Sequence, residues 1–137
     1  MTRSGSRGSR VPGRVHTVVR ALAFGDAYLG VAATSATTDI TGTLPAGAVI
    51  LGYDIDVTAD WTDGAAGTFA LGLGDGTTAT LYGADVGNLD GGVARASGAI
   101  CKYNATAVKV VATVSSSVNL NTLSGGAASL RLFYTLP

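Results

Sequence analysis

The sequence contains no glutamate and no glutamine, and only one cysteine, one histidine, one methionine and one tryptophan among 137 residues. Each shortage closes off a class of protein. Two of the better helix formers are missing while glycine occurs 20 times, which argues against a helical bundle, since glycine costs about 1 kcal/mol against alanine inside a helix. Charged residues make up 13% of the chain, too few for a charge-driven disordered segment or a coiled coil. No apolar run approaches the roughly 18–20 residues that a membrane helix needs, so no membrane partner is expected. The single Cys101 cannot close an internal disulfide. A hydrolytic triad needs an imidazole base, and His16 is the only one; at the start of a strand it reads as a partly exposed structural residue.

What is present is small and β-prone: 22 alanines, 20 glycines and 17 threonines, with 47% hydrophobic residues spread along the chain rather than pooled. The length suits one domain with one core. The net charge of zero hides an asymmetry. Arg3, Arg7, Arg10, Arg14 and Arg20 stand in the first 20 residues with no acid among them, whereas the remainder carries nine aspartates against Arg95, Arg131, Lys102 and Lys109, giving +5 and −5. Residues 1–14 (MTRSGSRGSRVPGR) offer almost nothing apolar to bury and read as an extended basic arm on a domain spanning 15–137. Fully extended, such an arm reaches about 46 Å, farther than the radius of the domain. It is not a secretory signal, because His16, Arg20 and Asp26 interrupt the apolar region that would have to follow. It contains no aromatic residue, so an acidic protein groove suits it better than direct contact with nucleic acid.

From Val15 onward the pattern has period two. The clearest segment, Ala48–Trp61, puts Val49, Leu51, Tyr53, Ile55, Val57, Ala59 and Trp61 on one face, and Ile50, Gly52, Asp54, Asp56, Thr58 and Asp60 on the other. Leu44-Pro45-Ala46-Gly47 precedes it as a turn. Further strands are expected at Arg14–Phe24, Tyr28–Ala33, Asp39–Thr43, Thr68–Gly74, Thr78–Tyr82, Val93–Tyr103, Thr106–Ser115 and Ser129–Leu136, with a turn at Gly125-Gly126 and at most one helical turn at Tyr82–Leu89. About eight strands at this spacing predict an antiparallel sandwich of jelly-roll type.

The search for chemistry is short. Asp54, Asp56 and Asp60 share a strand face and could offer hard oxygens to a cation, but neighbours two apart on a strand stand roughly 7 Å from each other, too far for tight chelation. They read as a solvated face, with Asp54 and Asp56 as candidate interface residues. Trp61 lies in phase with the buried face and is assigned to core or interface packing. Gly72-Leu73-Gly74-Asp75-Gly76 lacks the Lys-Ser/Thr pair and the helix of a phosphate loop, so it is a turn. Cys101, in the apolar stretch Ala99-Ile100-Cys101, is expected to be a buried, inert thiol. No catalytic, metal or cofactor site is predicted.

The run Leu44–Tyr82 (LPAGAVILGYDIDVTADWTDGAAGTFALGLGDGTTATLY) resembles a pattern in small virion proteins of tailed bacteriophages: a Leu-Pro-Ala-Gly turn, a long alternating strand, a polar loop, a strand centred on Phe69 and a Gly-Asp-Gly turn with threonines. The ending Ala127–Tyr134, with Leu-Arg-Leu-Phe-Tyr, is similar to the closing strand of the same group. The resemblance covers roughly residues 40–137 and leaves the arm outside it. It points to the head decoration, or cement, proteins. It implies a jelly roll bound as a homotrimer on the outside of a capsid, across joints between major capsid protein subunits. The capsid-binding residues would then be Arg3, Arg7, Arg10 and Arg14. Two other readings are a phage tail, fibre or receptor-binding component acting through Asp63–Gly67 and Asp85–Gly92, and a non-viral carbohydrate-binding module using Trp61 and the tyrosines.

Overall fold

The computed structural model describes residues 14–65, 67–92 and 94–137. Among these residues the chain forms seven strands: β1 Val15–Ala23, β2 Ser35–Leu44, β3 Val49–Thr62, β4 Phe69–Gly74, β5 Ala94–Tyr103, β6 Val108–Ser116 and β7 Gly125–Thr135. They build two antiparallel sheets, in the orders β1-β7-β3-β5 and β2-β6-β4. Successive strands alternate strictly between the sheets, so each connection crosses the core rather than closing a hairpin.

The expected two-layer all-β sandwich is therefore present, with differences in its parts. The weak Asp39–Thr43 strand is the end of the longer β2. Tyr28–Ala33 is not a strand; a short 3-10 turn at Ala27–Leu29 buries Leu29 there. Gly125-Gly126, read as a turn, opens β7 instead. Thr78–Tyr82 forms no strand either. The place beside β4 is filled by a single bridge at Gly83, with Tyr82 N–H donating to Leu73 O (2.8 Å), Leu73 N–H to Gly83 O (2.9 Å) and Val86 N–H to Leu71 O (2.9 Å). The next residues that this segment buries are Val86 and Leu89. That spacing of three cannot come from one face of an extended strand. No helical turn forms across Tyr82–Leu89.

The core lies between the sheets. Ile55, Val57, Trp61, Leu71, Leu73, Val110, Val114, Leu130 and Leu132 are each at most 1% exposed. Phe69, Leu71 and Leu73 face inward as their alternation predicts. In β3 the expected phase holds only beyond Gly52. Relative to β7, β3 carries an extra residue between Ile50 and Gly52, and such a bulge reverses which face the alternate residues occupy. Ala48 and Ile50 are therefore the buried residues before it, while Val49 and Leu51 are only half-buried. Gly52 sits at the bulge because a Cβ there would lie 2.6 Å from the Gly98 carbonyl oxygen.

The segment after β4 folds back over the outer face of the three-stranded sheet. A methyl group on Gly74 would overlap the Thr78 carbonyl oxygen, and one on Gly72 would lie 2.9 Å from that of Ala79. Gly74→Ala should therefore lift the segment and destabilise the domain by about 1–3 kcal/mol, the usual range for overpacking. Denaturant midpoints measure this, and an unchanged midpoint would show that the segment yields freely. The tip of the same segment is held by Asp75, whose carboxylate accepts the Thr78 (2.8 Å) and Thr77 (3.0 Å) N–H groups. Those bonds, that of Thr78 foremost, hold the carboxyl below the usual carboxylate range. A depressed value means that the stabilisation is complete above the ordinary carboxylate pKa and is lost as pH falls through the folded-state value. The Thr77 and Thr78 amide resonances should accordingly shift at a pH below the ordinary carboxylate pKa, and Asp75→Asn should abolish that titration.

Candidate assembly surface

Two ends and two outer faces are available for contact. At one end, Val15 pairs with Thr135, and Thr135 with Val49. The start of β1, the chain terminus, the Leu44–Gly47 turn and the β5–β6 turn thus lie together. Gly47 N–H donates to Asn104 O (2.7 Å) and Asn104 N–H to Ala48 O (2.9 Å), which closes the two turns on each other. His16 is half-buried and stacks on Tyr134, with ring centroids 5.4 Å apart. Arg14 is exposed where β1 begins. Arg3, Arg7 and Arg10 lie outside the described residues.

The opposite end carries the loops at Asp63–Gly67 and Asp85–Gly92. Two of their acids are occupied within the chain. Asp63 accepts Ala65 (3.0 Å) and Gly67 (3.3 Å) N–H groups, and Asp90 accepts that of Phe69 (2.9 Å). Asp85 and Asp90 line a polar groove with Ser115, Ser116 and Ser117. The groove holds no exposed aromatic ring, because its only one, Phe69, is 2% exposed.

On the outer face of the four-stranded sheet the aspartate row of β3 meets arginines from its neighbours. The Arg95 guanidinium donates to Asp54 at 2.9 Å. In register, Asp54 stands opposite Arg131 of β7 and Asp56 opposite Arg95 of β5. The hydrogen bond and charge of Asp54, and then the charge of Asp56, raise the Arg95 pKa further. Solvent screens this exposed pair, so it orients side chains more than it stabilises the fold. Asp60 accepts the Gly92 N–H at 3.2 Å. The sequence shows the aspartates but not their partners, because which strands become neighbours is not encoded in local alternation.

Trp61 is 1% exposed and lies against Gly126, where a Cβ would come within 2.7 Å of the indole. It belongs to the core and offers no ring face to a sugar or a partner, so only Asp54 and Asp56 of the three candidate interface residues reach the surface. Cys101 also departs from expectation. It is exposed on the edge strand β5, at a bulge opposite Leu51 and with φ at 52°, a left-handed conformation uncommon for a side-chain-bearing residue. Cys101 and His16 stand on opposite edges of the sheet, roughly 14 Å apart across three strand spacings, too far to act as nucleophile and base. Among the described residues no three His, Cys, Asp or Glu side chains converge as metal ligands.

No family model and no curated protein matches this chain. Three solved structures share its fold along most of its length. A chain in the capsid asymmetric unit of cyanophage Pam1 has a TM-score of 0.64 at 22% identity, and the match covers 100% of both chains. A chain in the acid-stable capsid of Helicobacter pylori bacteriophage KHP30 has a TM-score of 0.60 at 19% identity, covering 93% of this chain and 91% of that one. A chain in the capsid of Ralstonia phage GP4 has a TM-score of 0.57 at 22% identity, covering 93% and 88%. At these identities the likeness establishes the architecture.

Proposed function

We propose that this chain is a structural component of a phage virion, and specifically a decoration protein that binds the outside of the head across major capsid protein subunits and stabilises the shell. The observation that carries this reading is the near-complete mutual coverage with chains from three phage capsids. A shared fold alone does not assign a role, but here the match runs along most of each chain, and all three neighbours come from phage capsids. The residues support a mechanical rather than a catalytic role: the lone thiol and the lone imidazole stand apart, and most of the aspartates are engaged by backbone amides or by Arg95 and Lys109.

In this reading the basic arm is the anchor. Arg3, Arg7, Arg10 and Arg14 suit carboxylates on the shell because a guanidinium forms paired hydrogen bonds with a carboxylate. An extended segment adds interface area without enlarging the folded core. Ordering it costs entropy, which a homotrimer offsets by engaging several arms at once. Val15, where β1 begins, lies at the end of the sandwich opposite the Asp63–Gly67 and Asp85–Gly92 loops.

The test is the copy number in purified particles, measured by quantitative mass spectrometry against the major capsid protein. Hundreds of copies per particle are expected. A few to a few dozen would move the protein to the tail or its fibres, and complete absence would overturn the virion reading.

A further inference from the structure

We propose that the outer face of the four-stranded sheet is a contact between copies of this chain. The inference rests on the self-association contained in the reading above, and it assigns that association a surface.

A two-layer sandwich has two outer faces, and this chain covers the β4 side of one of them itself. The carbonyl oxygens of Thr78 and Ala79 close down on Gly74 and Gly72 over the three-stranded sheet. The four-stranded sheet has no comparable cover among the described residues. Its outer face also gathers apolar surface. Six large hydrophobic residues are left exposed among the described residues, and three of them lie here: Val15 at 53%, Val19 at 55% and Tyr103 at 63%. The register Val15–Thr135–Val49–Tyr103 runs straight across the sheet at the arm end, and Val19 stands beside Arg131. Between them Val15, Leu51, Ala99 and Phe133 line one shallow depression. Exposed apolar residues grouped in this way beside a charged rim mark a protein contact rather than ordinary surface scatter.

The charges identify the occupant. Below the apolar half, Asp54 and Asp56 stand beside Arg95 and Arg131, with Asp60 beyond them accepting the Gly92 N–H, so the face carries both signs. A partner of one dominant sign, such as a nucleic acid or a strongly acidic groove, finds no net complement on this face. A second copy does, because each arginine of one chain can meet an aspartate of the other, and like charges opposed in one alignment are matched in another.

The test uses the full chain in sedimentation velocity across a concentration series. The wild type should show a mass above one chain. Val19→Asp adds a carboxylate beside Arg131, which the fold accommodates, so its melting temperature should hold while its self-association weakens at least about tenfold. Leu81→Asp, at a residue 44% exposed in the segment after β4, should change nothing. Tyr103→Ser, which adds no charge, should reproduce the loss and carries the test if Val19→Asp folds poorly. Cys101 supplies a reporter, since maleimide should alkylate it several-fold more slowly in the assembled wild type than in Val19→Asp. If both variants assemble like the wild type, the face is wrong while the trimer reading survives. If the wild type sediments as a single chain throughout, both fall, and the virion reading then rests on the particle count alone.

Discussion

Deleting residues 1–14 should abolish attachment to expanded heads while leaving the melting temperature of the domain within a degree or two of the full chain. Attachment is lost because four of the chain's nine cations go with the arm, leaving a body whose formal charge is strongly negative and whose remaining arginines on the four-stranded sheet already face aspartates. Stability is retained because the buried core begins inside β1, at Val18 and Leu22, and closes on β7 and β3. Co-sedimentation of truncated and full-length protein with expanded shells decides the matter. Truncated protein that binds as tightly as the full chain would remove the arm from the mechanism. Replacing Arg3, Arg7, Arg10 and Arg14 by lysine separates charge from geometry. Lysine keeps the charge but cannot form the paired hydrogen bonds of a guanidinium, so affinity should fall without vanishing.

The second large effect lies in the core. Trp61→Ala should destabilise the domain by about 3–5 kcal/mol, the range for deleting a buried indole, against the 5–15 kcal/mol that typically holds a domain together. A fall in melting temperature of more than about 10 °C is expected. The indole closes one end of the sandwich, where the ring lies on the backbone of Gly126 and the Trp61 backbone N–H donates to Leu89 O at 3.4 Å. Gly126→Ala should act in the same direction from the other side. Its φ is 141°, in the region that favours glycine, and the added methyl would meet the ring at 2.7 Å. If Trp61→Ala melts within a few degrees of the wild type, the indole is not a core residue and its assignment to a surface returns.

The two predictions divide the chain by physical role. Residues 1–14 contribute charge with few apolar side chains, so the proposed effect of their removal is read at a partner. Trp61 contributes buried area, so its removal is read in the melting curve. The four-stranded outer face stands between them, since Val19 and Tyr103 are exposed enough to change without disturbing the core and apolar enough to matter when covered.

What the sequence determined by itself was whatever depends on near neighbours. The absence of glutamate and glutamine with abundant glycine and threonine excluded helices. Strict alternation located β3, and inward Phe69, Leu71 and Leu73 followed from the same rule. The charge split sets residues 1–14 apart in composition, a stretch almost wholly outside the described residues. Tertiary structure decided everything that turns on which strands become neighbours. The bulge at Leu51–Gly52 reversed the phase of β3, and alternation could not reveal it because Val49, Ile50 and Leu51 are all apolar. The expected strand at Thr78–Tyr82 became a bridge because the chain buries Val86 and Leu89 instead. Cys101 came to the surface because β5 ended at a sheet edge rather than in its middle. The Asp54–Arg95 pair joins residues 41 apart in sequence, and only the order β1-β7-β3-β5 brings them together. Periodicity is a local property of one strand, whereas register, edge and layer are properties of pairs of strands, settled by which arrangement buries the most apolar surface at once.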